Sequence, residues 1–404
     1  MRYLLLFMIC LNTTALFSQT DSIRVLNDIR SLADDRNHGR GAGSAGERTA
    51  AAYIASRFKE LGLLPKGDKG TFQQKFTFNK GVHGEGKPAE AANVLAYIDN
   101  KAATTIIIGA HYDHLGDDGQ GSSLDPNPSN KIHNGADDNA SGVAGVLELA
   151  RFYSDNKIKE RNNFLFICFS GEELGLLGSR YFTEHPTINL QSANYMINMD
   201  MVGRLDRSTH TLFVSGTGTS PVWEPLLQRI SSPELVIKMD SSGMGPSDHT
   251  SFYLKDIPVL HFFTGSHSDY HKPSDDWEKI NSSGEARVLD LIIRMNSSLD
   301  MEPKLSFLKT RNKSNAGRAT FKVTLGIMPS YAGTENGLKV DGVTDGRPGQ
   351  KAGIQTGDVI IEMGANKISN IDDYMKALGQ FEKGQTVPIK VKRSDNVVTL
   401  SVTF

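Results

Sequence analysis

The chain predicts an α/β fold, a mixed and mainly parallel sheet flanked by helices, followed by a small β-domain. Three observations carry this. Short apolar, β-branched runs alternate with segments of helical spacing from about residue 21 to residue 302. Clusters of Asp, Glu and His stand directly after several of those runs. A polar, basic stretch at 309–320 then separates this part from a glycine-rich remainder, as a linker does.

The elements follow in order. Glu47 to Leu61 carries Ala50, Ile54 and Phe58 at helical spacing and stops at Gly62 and Pro65. Asn93–Ile98 and Thr105–Ala110 read as buried strands. Asn139 to Tyr153 is helical, with Asp138, Asn139 or Ser141 available as cap. Asn163–Phe169, Tyr195–Met199 and Val259–Phe263 read as further buried strands. Beyond the linker, short strands and one helical stretch near Ile371–Leu378 complete the chain. The expected boundaries are a leader at 1–19, a first domain at 20–305, a linker at 306–320 and a second domain at 321–404.

Composition narrows the function. The 404 residues suffice for two or three domains. Lys and Arg number 44 against 46 Asp and Glu, a net charge of −2, which argues against nucleic-acid binding through a bulk basic surface. With 38% hydrophobic and 22% charged residues, a largely disordered chain is excluded. Two cysteines, Cys10 and Cys168, exclude a disulfide framework. Arg2, the apolar run Leu4–Leu11 and small or polar residues up to Gln19 read as a secretory signal peptide, too short to span a bilayer. Export to the periplasm or medium is expected, with outer-membrane association compatible and no transmembrane anchor after cleavage. Cys168, inside an apolar run, reads as a core thiol.

Chemistry concentrates in five segments: Gly109-Ala110-His111-Tyr112-Asp113-His114, Gly135-Ala136-Asp137-Asp138-Asn139-Ala140-Ser141-Gly142, Ser170-Gly171-Glu172-Glu173, Asn198-Met199-Asp200-Met201 and Asp269-Tyr270-His271-Lys272-Pro273. Most fall at expected strand ends, where open α/β sheets bind ligands, so they can share one crevice. His111, Asp137, Glu173, Asp200 and His271 offer two imidazoles and three carboxylates, a donor set that suits zinc. Three carboxylates packed together repel. Two Zn²⁺ and one hydroxide bring the total charge to zero, and one carboxylate must then bridge.

In order, these motifs, with the Gly-Ser-Ala-Gly-Glu-Arg approach and Ser247-Asp248-His249, resemble the M28 zinc metallopeptidases of the co-catalytic aminopeptidase type, over about Gly39 to Ile280. The resemblance implies two Zn²⁺ per chain. His111 and Asp200 would hold one, Glu173 and His271 the other, and Asp137 would bridge through a cis Asp137–Asp138 peptide. Glu172 would be the general base. Asp113 would accept the free N–H of His111 and Asp248 that of His271, with Asp138 also in this outer shell. Tyr270 would donate to the developing oxyanion, against an ordinary core role. His114, His133, His249, His261 and His267 are read as non-ligands, with His267 at the edge of the cleft. The Gly39–Gly46 run lacks a phosphate-loop ending, and Asp117-Asp118-Gly119 with Asp125 reads as a solvated acidic loop rather than a calcium site.

The second domain resembles a PDZ domain. Ala352-Gly353-Ile354-Gln355-Thr356-Gly357-Asp358-Val359-Ile360 is its specific motif, and Leu325-Gly326-Ile327 would capture a peptide C-terminus. Pro329 is expected to interrupt strand addition there. The whole reads as an exported dizinc aminopeptidase acting on peptide or protein substrates. Carboxypeptidase or dipeptidase chemistry on the same scaffold, or a catalytically inactive peptide-binding adaptor, are the alternatives. A carboxypeptidase would need cations such as Arg204 or Lys272 for the substrate carboxylate.

Overall fold

The computed structural model describes residues 20–79, 87–125, 127–310, 323–329, 337–343, 346–369, 371–394 and 396–404. The expected leader and linker residues 311–320 lie outside these. Among the described residues, no helix is long and apolar enough to cross a membrane.

The first unit contains helices α1 (Ser22–Leu32), α2 (Ala45–Glu60), α3 (Gly142–Asp155), α4 (Leu177–Glu184), α5 (Trp223–Ile230), α6 (His249–Tyr253) and α7 (Ser282–Leu299). Its strands are β1 (Leu64–Pro65), β2 (Gln73–Asn79), β3 (Pro88–Ile98), β4 (Thr104–His111), a small pair β5 (Gly116–Asp117) and β6 (Ile132–His133), then β7 (Asn162–Phe169), β8 (Ala193–Met199), β9 (Thr211–Ser215), β10 (Val236–Asp240) and β11 (Val259–Phe263). The main sheet runs β1-β3-β7-β4-β8-β11-β9-β10, with β2 paired to β3. Its centre, β7-β4-β8-β11, is parallel, and antiparallel pairs flank it at β3–β7 and β11–β9.

Alternation along each strand builds two cores. Ile106 and Ile108 of β4 face a layer containing α1, α2, α3, α5 and α7. Ile107, one residue between them, faces the layer of α4 and α6. Because both faces are covered, β4 is apolar from Ile106 to Ala110 and β7 from Phe164 to Phe169, as in buried parallel strands. Gly109 keeps the sheet close: a Cβ there would stand 2.6 Å from the Phe169 ring.

Local chemistry sets the helix ends. α2 begins earlier than Glu47 because the Ser44 hydroxyl accepts Glu47 N–H at 3.0 Å, while the Glu47 carboxylate accepts Gly43 N–H at 2.7 Å. The helix expected from Asn139 becomes regular only at Gly142. Residues 136–141 form a wider turn, and Asn139 Oδ1 accepts the Gly142 and Met201 N–H groups.

The second unit holds β12 (Ile327–Pro329), β13 (Leu338–Val343), α8 (Pro348–Lys351), β14 (Val359–Met363), β15 (Asn366–Lys367), α9 (Ile371–Leu378), β16 (Thr386–Arg393) and β17 (Asn396–Thr403). Its sheet runs β12-β13-β14-β16-β17, around a separate apolar core. The Gly-Asp of its specific motif has a local reason: buried Asp358 accepts two N–H groups of Arg393, at 2.7 and 2.8 Å, and Gln355 N–H. At Leu325-Gly326-Ile327 the chain turns through Gly326 at φ 69°, and the register of β12 shifts between Met328 and Pro329.

Candidate active site

Four segments reach one cleft from the carboxyl ends of the parallel strands. His111 ends β4 in register with Phe169, the end of β7. Ser170, Gly171, Glu172 and Glu173 follow. Asp200 follows β8, its N–H donating to Phe262 O at 3.1 Å, and His271 arrives on the loop after β11. The cleft encloses about 350 Å³ and is lined by His111, Asp138, Glu172, Glu173, Asp200 and His271, with Leu176, Met201, Pro246, His261, Phe263, Ser266 and Tyr270 completing its wall.

The groups form two adjoining clusters. His111 Nε2 stands 3.4 Å from Asp138 Oδ1 and 3.3 Å from Asp200 Oδ1. His271 Nε2 stands 3.3 Å from Asp138 Oδ2 and 3.1 Å from Glu173 Oε2. Asp138 thus presents one oxygen to each side. Donors held about 2.0–2.1 Å from one tetrahedral zinc lie about 3.3–3.4 Å apart, so these separations suit metal ions. His111, Asp138 and Asp200 form one such group of donor atoms, and His114, Asp138 and Glu173 another.

Asp137, expected to bridge, does not join them. Its Oδ1 accepts Gly203 N–H at 2.7 Å and its Oδ2 pairs with His267 Nε2 at 3.1 Å. These contacts turn it away from the paired histidines, and Asp138 takes the middle position in place of an outer one. The cis peptide correspondingly joins Asp138 to Asn139, not Asp137 to Asp138. Asp275 supports the turn, its Oδ2 accepting both Asp137 and Asp138 N–H at 3.0 Å.

The outer partners also differ. His111 Nδ1 lies 3.1 Å from the Asp113 backbone carbonyl, whereas the Asp113 carboxylate is 3.8 Å away and accepts Glu172 N–H instead. His271 Nδ1 is matched to Ser122 O at 3.1 Å, not to Asp248. Asp248 is buried and its charge acts on Glu172 and His111. The 122–124 loop thereby clasps His271, with Leu124 N–H donating to His271 O at 2.9 Å. In the same loop Asp125 is paired with Lys131.

Electrostatics follow from this packing. Burial, then the charges of Asp200, Glu173 and Asp248, raise Glu172 well above the usual carboxylate range against the pull of His111. Burial also works to raise Glu173, but the His271 charge and hydrogen bonds from His114 and His271 outweigh it and hold it at about 2. Asp113 is pushed up to about 8 by burial. Tyr270 lies on the cleft wall with its ring stacked on His271, centroids 3.9 Å apart.

Two further residues bear on the site: Arg40, which carried no signal in the sequence, and His114, which was read there as a non-ligand. Arg40 is fully buried and donates to Leu32 O at 2.8 Å, Tyr112 O at 2.7 Å, Asn134 O at 2.6 Å and Gly135 O at 2.9 Å. It ties the segment after His111 to the segment before Asp138. Among the described residues no carboxylate pairs with it. Burial lowers it to about 10, the charges of Asp138, Asp113, Asp275 and Glu173 opposing that fall, so it is cationic at neutral pH. His114 stands 2.8 Å from Glu173 Oε1, a position that only the fold reveals.

The Peptidase family M28 model matches residues 93–296, about half the chain, and the PDZ domain model matches 323–404. "Aminopeptidase YwaD" of Bacillus subtilis is 31% identical over 199 residues, 45% of this chain and 42% of that protein. "Leupeptin-inactivating enzyme 1" of Streptomyces exfoliatus is 24% identical, covering 65% of this chain and 52% of its own length. The chain therefore spans about half the length of these curated relatives. Among solved structures, the LapA aminopeptidase of Legionella pneumophila shares a TM-score of 0.54 at 23% identity, over 70% of this chain and 72% of that one. A Zn-dependent exopeptidase from Parabacteroides distasonis gives 0.56 at 19%, over 69% and 99%. The strand-end cluster, the ordered motifs and the family match together place the chain in peptidase family M28, with a PDZ domain after it.

Proposed function

We propose that the protein is an exported dizinc aminopeptidase. One observation carries the reading: Asp138 divides its two oxygens between a His111–Asp200 group and a Glu173–His271 group at the floor of a cleft, with Glu172 beside them. His111, Asp200, Glu173 and His271, with Asp138 between them, would hold two Zn²⁺ through the chain's own carboxylates and imidazoles. Bound there, the metal pair supplies Lewis-acid polarisation and lowers the pKa of water.

The remaining work belongs to the protein. Glu172 takes a proton from the attacking water and delivers one to the leaving amine. Its backbone is fixed by the Asp113 carboxylate, which keeps the side chain at the cleft. The Tyr270 hydroxyl donates to the developing oxyanion. Leu176, Met201 and Phe263 give the cleft an apolar wall for the substrate's first side chain. Neither cation considered for a substrate carboxylate lines the cleft. Arg204 is tied to Asp269 at 3.0 Å, and Lys272 donates to Ser268 O at 2.8 Å. This favours the amino end of the substrate.

The PDZ domain is proposed to hold a peptide C-terminus at Leu325-Gly326-Ile327. Deleting 321–404 is expected to spare short substrates and slow long ones. Mass spectrometry of peptide mixtures incubated with the zinc-loaded protein tests the main reading. Successive losses from the N-terminus are expected. Losses from the C-terminus would reverse the substrate's orientation, and no cleavage with zinc bound would favour the adaptor role.

A further inference from the structure

Given the dizinc reading above, we propose that His114 is a further metal ligand, which makes the Glu173 position a closed four-donor site and leaves the His111 position open. His114 is fully buried, three residues after His111. Its Nδ1 lies 2.8 Å from Glu173 Oε1 and 3.7 Å from Asp138 Oδ2. Glu173 therefore stands between two imidazoles, His114 on one oxygen and His271 on the other. The two rings meet edge-on, centroids 5.8 Å apart at 71°.

The backbone holds this ring in place. His114 N–H donates to Arg40 O, and Gly41 bridges to His114. Behind the ring passes Gly135 at φ 54°, where a Cβ would stand 2.4 Å from the imidazole. Only a residue without a side chain leaves that space, and among the described residues Nε2 has no hydrogen-bond partner. The nitrogen directed at Asp138 and Glu173 is thus Nδ1.

The two positions then differ in kind. Glu173, His271, His114 and the shared Asp138 would supply two imidazoles and two carboxylates, the donor count of a closed zinc site. His111, Asp200 and the shared Asp138 supply three donors. Structural zinc sites are closed, whereas catalytic ones keep a position free. The ion beside Glu172 is accordingly the exchangeable one, and the ion at Glu173 the retained one.

Zinc binding to the full chain tests this without reference to turnover. Metal-free wild type, His114→Ala and His114→Asn are titrated with Zn²⁺ against a chelator of known affinity. Asn can present an N–H where Nδ1 stood but replaces the imidazole ligand. Both variants are expected to lose at least about 100-fold in affinity for the tighter ion. Wild-type affinity in His114→Asn would overturn the assignment and make His114 a hydrogen-bond partner of Glu173. If wild type binds a single Zn²⁺, the two-metal reading fails, yet retention of that ion in both variants would still overturn the role of His114. X-ray absorption of wild type carrying one equivalent of Zn²⁺ needs no variant. Two imidazole donors are expected, and one would overturn the proposal.

Discussion

The carboxylate of Asp275 accepts the backbone N–H of Asp138 at 3.0 Å and so fixes the turn from which the central ligand candidate projects. The same oxygen accepts Asp137 N–H. Asp275→Ala strands two buried donors and is expected to cost about 2–4 kcal/mol. Asp275→Asn keeps an acceptor and is expected to recover most of that. Urea unfolding of the three metal-free proteins makes the comparison.

Adjacent aspartates have separate duties. Asp138→Asn is expected to lower zinc affinity more than about 100-fold, with turnover falling alongside. Asp137→Asn disturbs only the contacts to Gly203 and His267 and is expected to cost less than about tenfold. Metal analysis after dialysis, paired with initial rates, separates them. Equal losses in both would return Asp137 to the metal site.

Glu172→Gln preserves shape and removes the proton acceptor. Turnover is expected to fall by about 10²–10⁴ while bound zinc and melting temperature stay near wild type. Normal rates with normal metal content would remove Glu172 from proton transfer.

Arg40→Met leaves four carbonyl oxygens without their donor in a buried place. A loss of at least about 3 kcal/mol is expected. Arg40→Lys restores the charge but not the planar fork that reaches carbonyls on several sides, so it is expected to rescue only part. Thermal melts of both variants decide this.

A pH dependence follows from two stacked rings. His249 and His261 lie 4.5 Å apart, centroid to centroid, and are buried. Burial lowers His261 to about 4 and His249 well below its usual range. The unfolded chain, titrating near about 6.5, then binds more protons than the folded one below that pH. Stability is full above about 6.5 and falls as pH drops toward 4, by up to about 1.4 kcal/mol per pH unit for each ring. His249→Phe is expected to flatten the slope of unfolding free energy between pH 6.5 and pH 5.

Much of this was legible in the chain. Within the expected strands Thr105–Ala110 and Asn163–Phe169, the stretches Ile106–Ala110 and Phe164–Phe169 are apolar because both faces of the sheet are covered, and continuous burial writes itself into composition. The strand Val259–Phe263 and the helix Ile371–Leu378 stand where periodicity placed them. His111, Glu173, Asp200 and His271 converge because strand ends share one edge. Asp137 and Asp138 were not separable, since choosing between neighbours depends on backbone torsions and on distant partners, Gly203, His267 and Asp275. Backbone acceptors such as Ser122 O and Asp113 O leave no trace in residue type. Arg40 was hidden for the same reason, as its partners are carbonyls that every residue carries.

Cys168 adds a use for the buried strand. Apart from Cys10 it is the chain's sole thiol, and it sits inside β7 between Val94 of β3 and Ala110 of β4. Burial pushes its thiol far above the ordinary range, so little thiolate forms in the folded state. An alkylating reagent meets it only when the sheet parts. In a Cys10→Ser background, the rate of alkylation becomes a clock for that parting, and each increment of zinc that slows the clock measures how far the metal holds the strands together.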